Sequence, residues 1–163
     1  LRKCNSKEKA VFPHQKQNIL QRTWLGLKTI FKINKNMKRG VNVIIADNLG
    51  RILILKRSSK DESCPGLWDL PGGGVEKNET LQEAVKREVA EESGLKVKPE
   101  SDYFYIYHYP KKIDKYAFRS TLIGGEVLLS KEHTEFKWIS KDEWQSLEYI
   151  PSVKATLEEF FKQ

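Results

Sequence analysis

The sequence LPGGGVEKNETLQEAVKREVAEESGL, residues 70–95, decides how this chain folds. It opens with a leucine, a proline and three glycines, and neither proline nor a run of glycines suits a helix interior. From Thr80 onward, apolar residues recur at spacings of three and four, which predicts a helix that ends at Gly94. The stretch therefore predicts a glycine-rich turn followed by one amphipathic helix.

Three glutamates of this helix are expected to point toward the protein. At about 100° per residue, Glu88 and Glu92 project in the same direction as the apolar residues, and Glu91 lies on their flank. Adjacent glutamates usually mark a solvated face, but other polar residues already form that face here: Gln82, Glu83, Lys86 and Ser93. Carboxylates that face inward together must bind a proton or a cation. Oxygen ligands at this spacing suit Mg²⁺ or Mn²⁺, so the sequence predicts a divalent metal site.

The spacing of these residues resembles the complete Nudix box. Five residues separate Gly73 from Glu79, and seven more separate Glu79 from Arg87. Arg87 begins the run REVAEESGL, which closes the pattern at Leu95 with no departure at a defining position. A spaced pattern of this length is far more specific than a short glycine motif.

The resemblance implies a fold and a reaction. The implied fold is an α/β/α sandwich with a mixed central sheet over residues 39–163, and the implied reaction is hydrolysis of a nucleoside diphosphate linked to another group. The implied metal ligands are the side chains of Glu88, Glu91 and Glu92 and the carbonyl of Gly73, and the implied supports of the turn and helix are Gly72, Glu79, Arg87 and Gly94. The same glutamates are the candidate catalytic residues.

Four residues outside the box are further candidates. Arg57 resembles a basic residue that some relatives use for substrate phosphates, although an ordinary charge at a strand end is an equal alternative. Trp68 is expected to pack in the core or to line the substrate pocket. Glu132 resembles a glutamate that faces the box helix as a metal ligand or general base, and Glu135 is the alternative.

The rest of the domain shows the patterns of strands and a closing helix. Residues 41–47 and 51–57 are β-branched, apolar runs joined by a short turn, which predicts a hairpin. Alternation over residues 103–109 places four tyrosines on one face, where base stacking is an alternative to core packing. Ser140 and Glu143 form a capping box that predicts a helix, and residues 151–161 are expected to form the last helix.

The net charge of +7 is unevenly distributed. Residues 1–40 carry eleven Lys or Arg and one acid, so the remaining 123 residues are mildly acidic. Residues 1–38 are interpreted as a basic helical extension. It would pack on the domain or on a second subunit in a dimer, contact nucleic acid or an anionic membrane surface, or serve as a targeting segment.

The composition otherwise predicts one cytoplasmic domain. No apolar run reaches the roughly 18 residues of a membrane span. Cys4 and Cys64 are too few for a disulfide framework, which favours a reducing compartment.

The domain is short and the box follows the family pattern without departures, and in both respects the chain resembles MutT-type members of the family. The preferred substrate is therefore a nucleoside or deoxynucleoside triphosphate, normal or oxidised, that yields the monophosphate and pyrophosphate. ADP-ribose or another nucleotide sugar is the alternative, because Pro110 has a counterpart in some sugar-nucleotide members. Two further interpretations remain open: an RNA 5′-end pyrophosphohydrolase, and a module that binds nucleotide or RNA without turnover.

Overall fold

A computed structural model describes residues 37–109 and 113–162. The expected basic extension lies outside these residues, and so does Pro110, which favoured the nucleotide-sugar alternative. Both stay predictions. None of the helices within the described ranges is long and apolar enough to cross a membrane.

The described ranges form seven strands, two α-helices and one short 3₁₀ helix. The strands are β1 (Lys38–Ala46), β2 (Ile52–Arg57), β3 (Trp68–Asp69), β4 (Lys96–Pro99), β5 (Tyr105–Tyr109), β6 (Ile113–Gly124) and β7 (His133–Ile139). The α-helices are α1 (Leu81–Ser93) and α2 (Pro151–Phe161), and the 3₁₀ helix is Trp144–Ser146.

All seven strands belong to one mixed sheet. The order along its main path is β3-β2-β1-β6-β4, with β5 paired to β6 and β7 paired to β2. β1 and β6 run parallel from Lys38 opposite Ile113 to Ala46 opposite Thr121, whereas every other named pair is antiparallel. The predicted mixed sheet and the hairpin of β1 and β2 are therefore confirmed.

The two faces of β1 belong to two different cores. Val41, Val43 and Ile45 pack with the apolar side of α1, and all three are fully buried. The alternate residue Ile44 packs with the core that contains α2, and Asn42 donates a hydrogen bond from Nδ2 to Thr156 Oγ1 at 3.4 Å. Because successive side chains of a strand point to opposite faces, one helix covers each side of the sheet.

Both ends of α1 are fixed by the residues that the sequence indicates. Thr80 caps the N-terminus: its Oγ1 accepts from Glu83 N, while the Glu83 carboxylate accepts from Thr80 N. Gly94 ends the helix at φ 69°, and its N–H donates to the Ala90 carbonyl. These caps hold the three box glutamates at a fixed rotation relative to the sheet.

Two predictions need correction. The capping pair of Ser140 and Glu143 forms, but only a turn and the 3₁₀ helix follow it, because the chain is drawn into the core at buried Trp144. Tyr103 does not share a face with the other tyrosines, since it precedes β5 and its ring packs against Tyr116.

The rings of Tyr105 and Tyr107 lie in a small buried cluster with Ala117. Because both rings are buried, neither is available to stack on a base. The last helix forms at Pro151–Phe161, as expected.

Candidate active site

The glycine turn lies alongside the first half of β1. The N–H groups of Val41 and Val43 donate to the carbonyls of Gly73 and Pro71 at 2.9 and 2.8 Å. Gly72 has φ +149°, and a Cβ there would collide with the Val41 carbonyl, so the close approach requires glycine. The turn is therefore an ordered segment held against the sheet, with its carbonyls at fixed positions.

Glu92 lies beneath this segment. Its Oε2 accepts a hydrogen bond from the Gly72 N–H at 2.9 Å, and the residue is 7% exposed. Burial and, to a smaller extent, the nearby Asp69 charge raise the pKa of Glu92 to about 8. A carboxylate in this position is stable only with a proton or a positive charge beside it.

Glu88 lies directly over Gly73. A Cβ at Gly73 would overlap the Glu88 carboxyl group, so glycine provides the space that this side chain occupies. One oxygen of Glu88 pairs with Arg87 Nη1 at 2.9 Å. Burial raises the pKa of Glu88 despite this partner.

Glu91 is the most exposed of the three box glutamates. Its side chain is 60% exposed and pairs with Arg87 Nη1 at 3.1 Å. In the described ranges, no three acidic, histidine or cysteine side chains are gathered closely enough to hold a metal. Glu88 and Glu92 are therefore covered at the turn, whereas Glu91 lies at the surface and shares Arg87 Nη1 with Glu88. The expected role of Glu91 as a metal ligand stays a prediction.

Arg87 links the helix to the loop before it. Its Nε and Nη2 each lie 2.9 Å from a different oxygen of Glu79, and Nη2 also donates to the Gly74 carbonyl at 2.8 Å. Glu79 in turn accepts from the N–H of Glu76 at 2.8 Å. These contacts suit the supporting role expected for Arg87 and Glu79.

Sequence reasoning missed two charged residues of the site. Asp69, at the end of β3, is 9% exposed and pairs with Arg57 Nη1 at 3.1 Å, and burial raises its pKa. Lys115, on β6, places Nζ 3.4 Å from the Gly73 carbonyl oxygen. Asp69 stands directly before the box motif, which was an available signal, whereas no motif marks Lys115.

The expected substrate contacts of Arg57 and Trp68 find little support. The Arg57 guanidinium already pairs with Asp61 and Asp69. Trp68 is 5% exposed and lies in the core on the α2 side. Lys137 Nζ lies 5.2 Å from the centre of the Trp68 ring, so the lysine covers the ring further.

The side chains of the two candidate bases, on and before β7, lie at the surface. Glu132 is exposed, and its carbonyl accepts from Ser58 N. Glu135 is exposed and pairs with Lys56 at 2.8 Å. The neighbouring His133 is buried, and burial together with the Arg57 charge lowers its pKa to about 4, so it stays neutral near pH 7.

The groups around the glycine turn fit a divalent cation. Glu88, Glu92 and the Gly73 carbonyl offer hard oxygen donors within one small region. Burial raises the pKa of both carboxyls, so a cation beside them would favour their ionised form. Glu91, which shares Arg87 Nη1 with Glu88, is the third box carboxylate beside them.

Comparison with known proteins agrees with this geometry. The NUDIX domain family matches residues 36–160. An 8-oxo-dGTP diphosphatase of Buchnera aphidicola is 38% identical over 103 residues, which cover 63% of this chain and 76% of that protein. A putative 8-oxo-dGTP diphosphatase of Bacillus subtilis is 32% identical over 124 residues, with coverage of 75% and 78%.

A solved structure shows the same fold. The crystal structure of a MutT protein from Methanosarcina mazei Go1 is 32% identical, with a TM-score of 0.68 over 77% of this chain and 94% of that chain. Together with the box and its geometry, these matches show that the chain belongs to the Nudix family, as a MutT-like hydrolase with nucleotide pyrophosphatase activity.

Proposed function

We propose that this protein hydrolyses a nucleoside or deoxynucleoside triphosphate, normal or oxidised, to the monophosphate and pyrophosphate, with Mg²⁺ or Mn²⁺. The observation that carries the proposal is the pair of buried glutamates, Glu88 and Glu92, against the Gly72–Gly73 main chain. The similarity to two proteins named 8-oxo-dGTP diphosphatases supports a triphosphate and supports an oxidised purine as the first base to test.

The carboxylates of Glu88, Glu91 and Glu92 and the Gly73 carbonyl would hold the ion. A bound divalent ion offsets the charge of the phosphates and lowers the pKa of a water molecule. The caps at Thr80 and Gly94 fix the helix, so the carboxylates keep their place when substrate binds. Arg87 and Glu79 hold the loop against the helix and do not contact substrate.

A glutamate of the box is the better candidate for the group that accepts the proton of the attacking water. Glu132 is the other candidate, and its side chain is exposed. Glu88 is partly exposed at the turn, whereas Glu92 is almost completely buried. We therefore assign the role to Glu88, which water can reach.

The test is a panel of nucleotides incubated with Mg²⁺ and analysed by released products. The panel contains the four deoxynucleoside triphosphates, 8-oxo-dGTP, ADP-ribose and a triphosphorylated RNA oligonucleotide. The proposal expects monophosphate and pyrophosphate from a triphosphate, with activity lost on chelation. AMP and ribose phosphate from ADP-ribose as the main products, or preferred cleavage of the RNA, would replace the proposed substrate.

Two variants separate turnover from binding. Glu92→Gln should abolish the release of products, whereas Glu148→Gln, an exposed glutamate near α2, should leave it unchanged. Binding of nucleotide or RNA by the wild type without any product would identify a binding module and refute the enzyme assignment.

A further inference from the structure

The side chain of Lys115 reaches the glycine turn from the neighbouring strand. Lys115 lies on β6 opposite Gly40 of β1. Its Nζ lies 3.4 Å from the Gly73 carbonyl oxygen and 3.5 Å from that of Val41. A Cβ on Gly40 would lie 2.9 Å from Cδ of Lys115 and 2.7 Å from the Gly73 oxygen, so the missing side chain of Gly40 makes room for the lysine.

Burial disfavours the positive charge of Lys115 and lowers its pKa, whereas acidic residues nearby offset part of this cost. The negative charges of Asp69, Glu92 and Glu88 act on its ammonium group in that order of strength. Arg57, which also lies near Asp69, is already held by a second ion pair to Asp61. Lys115 therefore supplies the positive charge on the sheet side of the box.

We propose that Lys115 competes with the divalent cation for the Gly73 carbonyl and the carboxylates beside it, and thereby sets the affinity of the metal site. This inference rests on the proposed function, which assigns the Gly73 carbonyl to the metal. An Mg²⁺ ligand lies about 2.1 Å from the ion, so an ammonium near the same oxygen would be within a few ångströms of a double positive charge. The flexible stem of a lysine allows Nζ to withdraw when the ion binds.

Two other roles for Lys115 predict different results. A lysine that only contacts substrate phosphates would change the KM for nucleotide without changing metal affinity. A lysine that only holds the turn in place would make the metal bind more weakly when it is removed, because the Gly73 carbonyl would lose its fixed position. Competition alone predicts tighter metal binding after removal.

The experiment measures Mn²⁺ binding by electron paramagnetic resonance, without nucleotide, in the wild type and in Lys115→Met. Methionine keeps most of the aliphatic stem and removes the charge. Repulsion between charges at contact distance in a partly buried site is several times the thermal energy, so the Kd for Mn²⁺ should fall by about tenfold or more. Lys98→Met, which removes one charge from an exposed position of β4, should bind Mn²⁺ like the wild type.

An unchanged or weaker affinity in Lys115→Met overturns the inference. If that variant does not fold, Lys115→Gln tests the same point, because it is neutral and keeps a donor for the Gly73 carbonyl. A thermal-shift assay supplies a second readout: saturating Mg²⁺ should raise the Tm of either variant more than that of the wild type.

Failure of the inference can be told apart from failure of the proposed function. If the wild type binds no Mn²⁺, or binds it equally well after Glu92→Gln, the metal site itself is wrong. If Glu92→Gln weakens binding while Lys115→Met does not tighten it, the site is right and only the role of Lys115 is refuted.

Discussion

Replacing Glu92 with glutamine should remove a loss of stability that the metal-depleted wild type shows as the pH rises to 8, although the variant loses its activity. Burial raises the pKa of Glu92 from 4.5 to about 8. The folded protein therefore holds this proton more tightly than the unfolded chain does, and the wild type loses stability as the pH rises from about 4.5 to about 8. Glutamine does not ionise, so the variant lacks this loss.

The size of the effect can be worked out from the two pKa values. One pKa unit corresponds to about 1.4 kcal/mol, so ionisation of Glu92 lowers the free energy of unfolding by about 3 to 4 kcal/mol between pH 5 and pH 8. Glutamine can still accept the hydrogen bond from Gly72 N. Its amide N–H groups are new donors in a buried place. They change the stability of the variant by the same amount at every pH, so they do not affect its pH dependence.

The assay is urea unfolding monitored by tryptophan fluorescence, at pH 5 and pH 8, with a chelator present. The free energy of unfolding of the variant relative to the wild type should rise by the stated amount between these two pH values. Glu148→Gln should behave like the wild type at both. Saturating Mg²⁺ at pH 8 should stabilise the wild type and not Glu92→Gln. Parallel pH dependence of the wild type and Glu92→Gln would refute the assignment of a buried, uncompensated carboxyl.

Three further predictions concern activity. Glu132→Gln should lower kcat for the best triphosphate by less than about tenfold, while Glu92→Gln lowers it by about a hundredfold or more. Equal losses in kcat would identify Glu132 as the base. Gly73→Ala should displace the Glu88 carboxyl and lower kcat/KM by about a hundredfold with an unchanged circular dichroism spectrum, and near-normal activity would contradict the close contact. Deletion of residues 1–36 should leave hydrolysis of small nucleotides unchanged in steady-state assays, and insoluble expression would show that this segment belongs to the core or to a subunit interface.

The elements that the sequence predicted well are specified by neighbouring residues. The start of α1 depends on Thr80 and Glu83, three residues apart, and its end depends on the left-handed conformation of Gly94. The turn between β1 and β2 is equally local, since Asp47 accepts hydrogen bonds from the N–H groups of Leu49 and Arg51. Interactions of this range can be read from a short window of sequence.

The predictions that needed correction or stay open concern side chains with distant or competing partners. Glu91 has a 60% exposed side chain and shares Arg87 Nη1 with Glu88, and its expected role as a metal ligand stays a prediction. The capping pair at Ser140 is correct, yet the chain after it is drawn to the buried Trp144 and does not continue as an α-helix. In that case the local pattern forms, and a second partner determines the conformation of the neighbouring segment.

Lys115 shows why the sequence alone could not complete the site. Gly40, Gly73 and Lys115 are far apart in the sequence. The parallel pairing of β1 with β6 brings Lys115 to Gly40, and the hydrogen bond from Val41 N to the Gly73 carbonyl brings the glycine turn to the same place. Parallel strands need a long connection, so no short pattern can mark such a contact. The box motif specifies the acidic groups, whereas the fold supplies the positive charge beside them. We therefore expect metal affinity to depend on β6 as well as on the motif.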